Sequence, residues 1–384
     1  MTPYYFDYNA TTPLDPEVFE AMKPFFTDQF GNPSSLHQLG QVPARAVREA
    51  RRRVALLLGA EESEIFFTSG GTESNNTALR SALALSGKKE IVASSVEHSS
   101  VLKLCRELAD EGYRVREIGV DSEGRLDLEA LENSLTNETA VVSLMLANNE
   151  TGVLFPVEEA GKIIAGRGIF FHVDAVQAAG KFPLQMKESS IDFLSVSAHK
   201  LYGPKGTGAL YIRKGTALKP LMWGGSQERG RRAGTENVPG IAGFGAASEK
   251  ARRELAAEIS RLRKLRDGFE EAVLTEIPGT RINGGGTERL ANTSNLRFDR
   301  MEAEILLLAL DEKGICVSAG SACMSGAHEP SHVLKAMGLS EDEANASLRF
   351  SFGRFTAAAD VRHLIQVLRE TVLQLRSFPA AAAG

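Results

Sequence analysis

The stretch at residues 169–200 reads IFFHVDAVQAAGKFPLQMKESSIDFLSVSAHK and contains two short apolar runs, at residues 169–173 and 193–197. Short apolar runs bounded by turn residues are typical of strands buried on both faces of a sheet. Asp174 follows the first run directly, and Lys200 follows the second run after two residues. We therefore expect two strands whose carboxyl ends carry a carboxylate and an amine.

The same pattern continues on both sides of this stretch, from about residue 64 to residue 214. Strands and helices in alternation predict an α/β fold with a parallel sheet built from right-handed crossovers, in which ligands bind at the carboxyl ends of the strands. The other strand-like runs are residues 65–68, 91–94 and 141–146, and the helix-like segments include residues 101–111 and 157–165.

The C-terminal part of the chain has a different pattern. A long helical stretch at residues 241–273 and a turn-rich segment at 278–286 precede a smaller α+β unit. Its predicted strands are residues 293–298 and 347–352, and its predicted helices are residues 302–313 and 359–376. We predict a large domain at residues 15–258 and a small domain formed by residues 1–14 and 259–384.

Composition argues against several classes of protein. The net charge of −5 over 384 residues gives no reason to expect a nucleic acid or an acidic membrane surface as a partner. Residues 1–10 lack the pattern of a secretory signal, and no apolar run has the length of a membrane span. Three cysteines argue against a disulfide framework, so we expect a protein of the reducing cytoplasm.

Lys200 and Asp174 match the requirements of pyridoxal 5'-phosphate. This cofactor needs a lysine for its Schiff base and a carboxylate that keeps the pyridine nitrogen protonated, so that the ring acts as an electron sink. Gln177, one helical turn after Asp174, is placed to face the phenolic oxygen of the ring. The alternatives are a solvated loop lysine and an aspartate that caps the following helix.

Residues 69–76, SGGTESNN, form a glycine turn that opens a helix after a strand. Unpaired amides at a helix N-terminus, with hydroxyl groups beside them, bind phosphate readily. We therefore predict that Gly71 and Thr72 bind the cofactor phosphate, with Ser197 and His199 as further donors. An ordinary loop-to-helix start has the same pattern, and the lysine of a nucleotide P-loop is absent.

Three more polar residues follow strand-like runs. His98 could stack on the cofactor ring and transfer protons near neutral pH. Asn149 could offer its amide to cofactor or substrate, and Arg354 could hold a substrate carboxylate through two hydrogen bonds. The respective alternatives are a structural histidine at a helix start, a turn asparagine and a surface arginine.

Cys323 lies within SAGSACMSG, residues 318–326, a run of small residues that predicts a loop with an exposed thiol. Cys105 and Cys316 occur in apolar periodic stretches and are expected to be inert core thiols. No second cysteine lies at CxxC or metal-ligand spacing from Cys323, so neither a zinc site nor a dithiol pair is expected.

As a set, these motifs make the sequence similar to the cysteine desulfurases, which belong to the class V aminotransferase family of fold-type I pyridoxal-phosphate enzymes. The similarity is to the group with a long catalytic-cysteine loop, here at about residues 318–330, and to its nitrogen-fixation branch. The motifs that carry it are residues 7–13, 31–37, 68–75, 96–98, 147–152, 172–177, 197–206, 224–237 and 320–323.

The resemblance implies a large domain with a mostly parallel seven-stranded sheet flanked by helices, and a smaller α+β C-terminal domain. It implies that L-cysteine is converted to L-alanine while Cys323 accepts the sulfur as a persulfide and passes it to an iron–sulfur scaffold or another acceptor protein. By this resemblance, Lys200 is the Schiff-base lysine, Asp174 is the partner of the pyridine nitrogen and Gln177 is the partner of the phenolic oxygen. His98 stacks on the ring and handles protons, and Asn149 and Arg354 bind the substrate carboxylate. The phosphate is bound by Thr72, Ser197 and His199 and, across a homodimer interface, by Thr235.

The sequence departs from the family at two places. Met324 stands where a small polar residue is expected, and the alanine-rich end lacks the tail with which the housekeeping enzymes hold their scaffold partner. Two other functions compete with desulfuration: an aminotransferase of the same superfamily, in which Cys323 would be idle, and a non-catalytic sulfur carrier that has kept the fold.

Overall fold

The computed structural model describes residues 3–320 and 330–377. Its strands are β1 Tyr4–Tyr5, β2 Ile65–Thr68, β3 Glu90–Ser94, β4 Arg114–Ile118, β5 Thr139–Met145, β6 Phe170–Asp174, β7 Phe193–Ser197, β8 Gly208–Ile212, β9 Thr280–Ile282, β10 Thr293–Phe298, β11 Ile315–Cys316 and β12 Ser347–Ser351. Its helices are α1 Pro16–Met22, α2 Pro24–Thr27, α3 Gln38–Leu58, α4 Gly71–Ser86, α5 Ser99–Asp110, α6 Leu128–Ser134, α7 Val157–Ile164, α8 Gln227–Gly230, α9 Val238–Glu276, α10 Ala303–Asp311, α11 His332–Ala336, α12 Glu341–Asn345 and α13 Ala358–Ser377. Short 3-10 helices span Glu62–Glu64, Met186–Glu188 and Ala198–Lys200.

The largest sheet has seven strands in the order β2-β8-β7-β6-β5-β3-β4, counted over the described residues. Strands β3 to β7 run parallel to one another, whereas β8 is antiparallel to both of its neighbours, β2 and β7. The predicted α/β fold with a mostly parallel seven-stranded sheet is therefore confirmed. Every residue of β3, β5 and β7 is buried, as expected for strands that are covered on both faces.

Two strands of this sheet were missed by the sequence analysis, for different reasons. In β4, RVREI, three of the five residues are charged and the strand lies at the sheet edge, so no apolar run marks it. In β8, GALYI, all residues are buried, but the strand follows directly after a glycine-rich bend. Only β4 lacks an apolar run, whereas β8 has one, the residues ALYI, next to that bend.

Helices cover both faces of the sheet. One buried cluster joins α4 and α5 to the sheet, through residues such as Leu79 and Val101. A second cluster lies on the other face and includes Val54 of α3, Ile164 of α7 and Phe244 of α9. The carboxyl edge of the parallel strands is therefore held between two packed layers of helices.

The smaller unit has its own buried cluster around a three-stranded antiparallel sheet, β12-β10-β9, with α10 and α13 packed against it. Helix α9 has 39 residues and contributes Phe244 to the core of the large sheet and Phe269 to the core of the small one. It passes through residues 258 and 259 without a break, so the domain limits given above stay a prediction. None of the helices within residues 3–320 and 330–377 combines the length and the apolar composition of a membrane span.

Candidate active site

Asp174 and Lys200 lie at the carboxyl edge of the large sheet. Asp174 is the last residue of β6 and is buried; its Oδ1 accepts a hydrogen bond from the Val176 amide at 2.9 Å. Lys200 ends the 3-10 helix that follows β7, and its Nζ donates to the backbone oxygens of Asn9 and, at 2.8 Å, Ala10. The N-terminal segment therefore closes one side of this edge.

Gln177 joins the same group of contacts. Its Nε2 donates to the Asn9 carbonyl oxygen at 2.9 Å, so Gln177 and Lys200 share one acceptor. Its Oε1 accepts a hydrogen bond from Lys181 Nζ at 3.0 Å. Burial lowers the pKa of Lys181 to about 7, and the positive charges of Lys200 and Arg349 act in the same direction. Lys181 was not singled out from the sequence.

The predicted phosphate site is built on the start of α4. The helix has 16 residues and begins at Gly71, directly after the glycine N-cap Gly70. A Cβ atom at Gly71 would lie 2.6 Å from Cγ2 of Val176, and one at Gly70 would lie 3.9 Å from the Ser197 hydroxyl. Glycine at position 71 therefore lets the start of α4 pack against Val176, and the free amides of the first turn, which also contains Thr72, are the groups that suit a phosphate.

His199 is the fourth predicted phosphate ligand. Its Nδ1 lies 3.0 Å from the Thr11 hydroxyl, which fixes the ring next to the N-terminal segment. Burial lowers the pKa of His199 to about 4, with the charges of Lys200, Lys205 and Lys181 acting in the same direction. The ring is therefore neutral at physiological pH and can contribute a single N–H to an anion.

His98 is the N-cap of α5. Its Nδ1 accepts a hydrogen bond from the Ser100 amide at 3.1 Å and lies 2.8 Å from the Ser100 hydroxyl. Burial lowers the pKa of His98, Asp174 acts in the opposite direction, and Lys200 and His332 add to the lowering. The imidazole thus lies within the electrostatic field of both Asp174 and Lys200.

Arg354 follows strand β12, and its side chain contacts residues other than Asn149. Its Nη1 donates to Asp15 Oδ2 at 2.6 Å, and its guanidinium lies 4.4 Å from the centre of the Tyr202 ring. No contact among the described residues joins it to Asn149. The predicted carboxylate-binding pair is therefore not brought together through Arg354.

Arg349 of β12 is the arginine that lies beside Asn149. It is only 2% exposed, and its Nη1 and Nη2 donate to the Asn149 carbonyl oxygen at 3.0 Å and to Asp7 Oδ1 at 2.6 Å. Its Nε is buried and has no hydrogen-bond partner among the described residues. A lone arginine within a run of otherwise uncharged residues, SLRFS, was the sequence signal that could have identified it.

The three cysteines differ in position. Cys105 is buried in α5, as predicted, and burial raises the pKa of its thiol to about 12. Cys316 is only partly buried, in the short strand β11, and its thiol pKa is also raised, first by burial. Cys323 lies outside the described residues. Thr235 is exposed, and its predicted contact across a dimer stays a prediction.

The chain matches known proteins over almost its whole length. Residues 4–364 match the family described as aminotransferase class-V. A cysteine desulfurase of Nostoc sp. (strain PCC 7120 / SAG 25.82 / UTEX 2576) is 52% identical over 378 residues, which cover 98% of this chain and 94% of that protein. The cysteine desulfurase NifS of Azotobacter vinelandii is 49% identical over 379 residues, with 98% and 94% covered.

Two solved structures are similar in both fold and sequence. A NifS-like protein superposes with a TM-score of 0.90 at 37% identity, covering 97% of this chain and 100% of the other. A structure described as SspA in complex with cysteine superposes with a TM-score of 0.81 at 35% identity, covering 92% of this chain and 99% of the other.

Proposed function

Because the chain belongs to the class-V aminotransferase family and is a cysteine desulfurase, we propose that it uses pyridoxal 5'-phosphate, bound by Lys200, Asp174 and Gln177, to move sulfur from L-cysteine to Cys323. The observation that carries this proposal is the meeting of Lys200 Nζ and Gln177 Nε2 at the Asn9 carbonyl oxygen, at the edge of the sheet that also presents the buried carboxylate of Asp174.

The residues at this edge fit the cofactor. Lys200 would hold its aldehyde carbon, Asp174 its pyridine nitrogen and Gln177 its phenolic oxygen. The phosphate would lie at the free amides of the first turn of α4, which begins at Gly71. The further ligands of the phosphate would be Thr72, Ser197, His199 and, from a second copy of the chain, Thr235. When bound, the cofactor supplies an electron sink for the substrate α-carbon.

The overall step balances without an external oxidant or reductant. L-cysteine and the Cys323 thiol give L-alanine and a persulfide on Cys323: one S–S bond forms, the substrate C–S bond breaks, and the proton count is unchanged. Lys200 removes the proton from the substrate α-carbon and returns one to the product, and His98 acts at the substrate sulfur. The persulfide then passes to an acceptor protein, which we propose to be an iron–sulfur scaffold.

The substrate carboxylate is held by Arg349 together with Asn149. Arg349 is the buried cation that contacts Asn149, whereas Arg354 contacts Asp15 and Tyr202. The Nε atoms of both arginines are buried without a hydrogen-bond partner among the described residues, so the choice between them rests on the contact with Asn149.

The exposed apolar residues near Thr235 support a homodimer. Trp223 is 83% exposed and Met222 is 37% exposed, on the segment that leads to Thr235. Large apolar side chains of this kind are typical of surfaces that another chain covers. The second copy would place Thr235 at the phosphate of its partner.

The reaction class is tested by incubating the purified protein with L-cysteine and dithiothreitol, and measuring alanine, sulfide and the visible spectrum. We expect a yellow protein that forms alanine and sulfide in equal amounts. Transfer of the amino group to a keto acid, without sulfide, would instead support an aminotransferase. A colourless protein that forms neither product would support a sulfur carrier.

A further inference from the structure

Asn75 and Ser100 have no role in the proposed function, yet they connect Asp174 and His98, the two residues proposed to contact the cofactor ring. Asn75 lies in the first turns of α4 and is 1% exposed. Its Nδ2 donates to Asp174 Oδ2 at 2.7 Å and to the Ser100 hydroxyl at 2.9 Å. The Ser100 hydroxyl in turn lies 2.8 Å from His98 Nδ1. A continuous chain of hydrogen bonds therefore runs between the two residues.

This chain of hydrogen bonds has a direction. The amide nitrogen of Asn75 has two protons, and both are used, one for Asp174 and one for Ser100. Because the Ser100 hydroxyl oxygen accepts from Asn75, its own proton is left to donate to His98 Nδ1. The Ser100 backbone amide also points at this nitrogen, at 3.1 Å. His98 Nδ1 must then be an acceptor, so the proton of the neutral ring is on Nε2.

The surroundings of His98 agree with a neutral ring. The charged or titratable groups that act on it are Asp174, Lys200 and His332, and burial is the main cause of its lowered pKa. Protonation of Nδ1 would also remove the acceptor for two donors of Ser100, which adds a cost for the charged form.

We propose that Asn75 and Ser100 are positioning residues that fix His98 in its Nε2–H form and orient Asp174 in the same network. The inference deepens the proposed function and rests on it: His98 meets the substrate sulfur as a hydrogen-bond donor through Nε2, and not as a base. The amide group of Asn75 donates one hydrogen bond to Asp174 and one to Ser100, which contacts His98. One side chain therefore orients both Asp174 and His98.

A purely structural role for this pair is the competing explanation, since helices α4 and α5 pack against each other. The two explanations differ in what happens to the proton on His98. Asn75→Asp replaces the amide donor with an acceptor of the same shape. The new carboxyl group would share one proton with Asp174, which lies 2.7 Å away, and would accept the proton of the Ser100 hydroxyl. The Ser100 oxygen would then present its lone pairs to His98, which favours a proton on Nδ1.

The tautomer of His98 can be read by long-range proton–nitrogen NMR on the full-length protein labelled with ¹⁵N-histidine. The chain has seven histidines, and His98→Gln assigns the signal. We expect an Nε2–H signal in the unaltered protein, a raised population with a proton on Nδ1 in Asn75→Asp, and a smaller change in Ser100→Ala. The kcat of Ser100→Ala should fall about tenfold, the size expected for the loss of one hydrogen bond at a reacting group.

Ser99→Ala is the matched control, because it removes a neighbouring hydroxyl that makes no side-chain hydrogen bond among the described residues. It should leave both the tautomer and kcat unchanged. A proton on Nδ1 in the unaltered protein, or an unchanged tautomer in both Asn75→Asp and Ser100→Ala, would overturn the inference. The NMR result does not depend on turnover, so a protein without desulfurase activity would refute the proposed function but leave the tautomer assignment measurable.

Discussion

The candidate site has two halves that are built on different sheets. The cofactor half uses the carboxyl ends of β6 and β7 in the parallel sheet, where Asp174 and Lys200 lie. The substrate half takes its cation from the antiparallel sheet of the small unit, where Arg349 lies within β12. In the first half, position at a strand end is enough to place a residue in the site. In the second half, Arg349 lies within the strand and reaches Asn149 from the strand face on which it lies. Arg354, which follows the strand, contacts Asp15 instead.

The two arginines show this difference most directly. Arg349 and Arg354 are separated by only a few residues, yet one contacts Asn149 and Asp7 and the other contacts Asp15. The rule that functional residues follow strands holds for parallel sheets, because crossover connections bring all carboxyl ends to one edge. Antiparallel strands alternate in direction, so this edge does not exist there.

The largest effect is expected in the cofactor half, from Lys200→Ala. In the proposed mechanism Lys200 holds the cofactor and moves the α-proton, so its loss should lower kcat by about a thousandfold or more. Alanine formation by the purified variant measures this. Lys205→Ala, an exposed lysine in the same bend, is the control and should keep most of the activity. Comparable losses in both variants would mean that the bend, and not the amine of Lys200, is required.

A comparison of Arg349→Lys with Arg354→Lys tests the substrate half. Lysine keeps the charge but loses the planar two-donor geometry that suits a carboxylate. We expect kcat/KM for L-cysteine to fall about a hundredfold in Arg349→Lys, mainly because KM rises. A loss of this size is typical when one partner of a buried charge pair is weakened. Arg354→Lys should change kcat/KM by less than about tenfold and should lower the melting temperature instead, because the contacts with Asp15 and Tyr202 are weakened. The reverse order would restore Arg354 as the carboxylate ligand.

Lys181→Met sharpens the description of the cofactor half. Lys181 is a hydrogen-bond donor to Gln177 Oε1, and it thereby turns the amide so that Nε2 faces Asn9. Without it, cofactor affinity should fall about tenfold, the equivalent of one hydrogen bond to a charged group. Equilibrium dialysis of the cofactor measures this, with the exposed Lys187→Met as control. Equal affinity in the two variants would show that Gln177 needs no such support.

The last prediction concerns stability and not activity, and uses Glu97→Gln beside His98. Glu97 is fully buried, and burial raises the pKa of its carboxyl to about 8. Between about pH 4.3, where an unfolded glutamate ionises, and pH 8, the folded protein holds a proton that the unfolded chain has released. The free energy of unfolding should therefore fall as the pH rises through this window.

Glutamine cannot ionise, so in Glu97→Gln this part of the decrease should be absent, a difference on the order of 5 kcal/mol near pH 8. Urea unfolding at a series of pH values measures it. Parallel pH profiles for the two proteins would mean that Glu97 is ionised in the folded state.

Much of the large sheet could be predicted from the sequence, because strands buried on both faces produce apolar runs such as Phe193–Ser197. The edge strand β4 could not, since its charged residues hide it. Among the site residues, those at parallel strand ends were identifiable. Arg349 was missed because its partners come from loops distant in the sequence, and Asn75 because an asparagine in a helix carries no signal until its two acceptors are placed beside it.

The central claim is that sulfur from L-cysteine is transferred to one particular thiol. The direct test is to incubate the protein with L-cysteine, trap persulfides by alkylation and locate the extra sulfur by peptide mass spectrometry. We predict a persulfide on Cys323 and none on Cys105 or Cys316, whose thiols have raised pKa values, and Cys323→Ala should bind the cofactor but form no persulfide. Extra sulfur on another cysteine, or normal alanine formation by Cys323→Ala, would contradict the account.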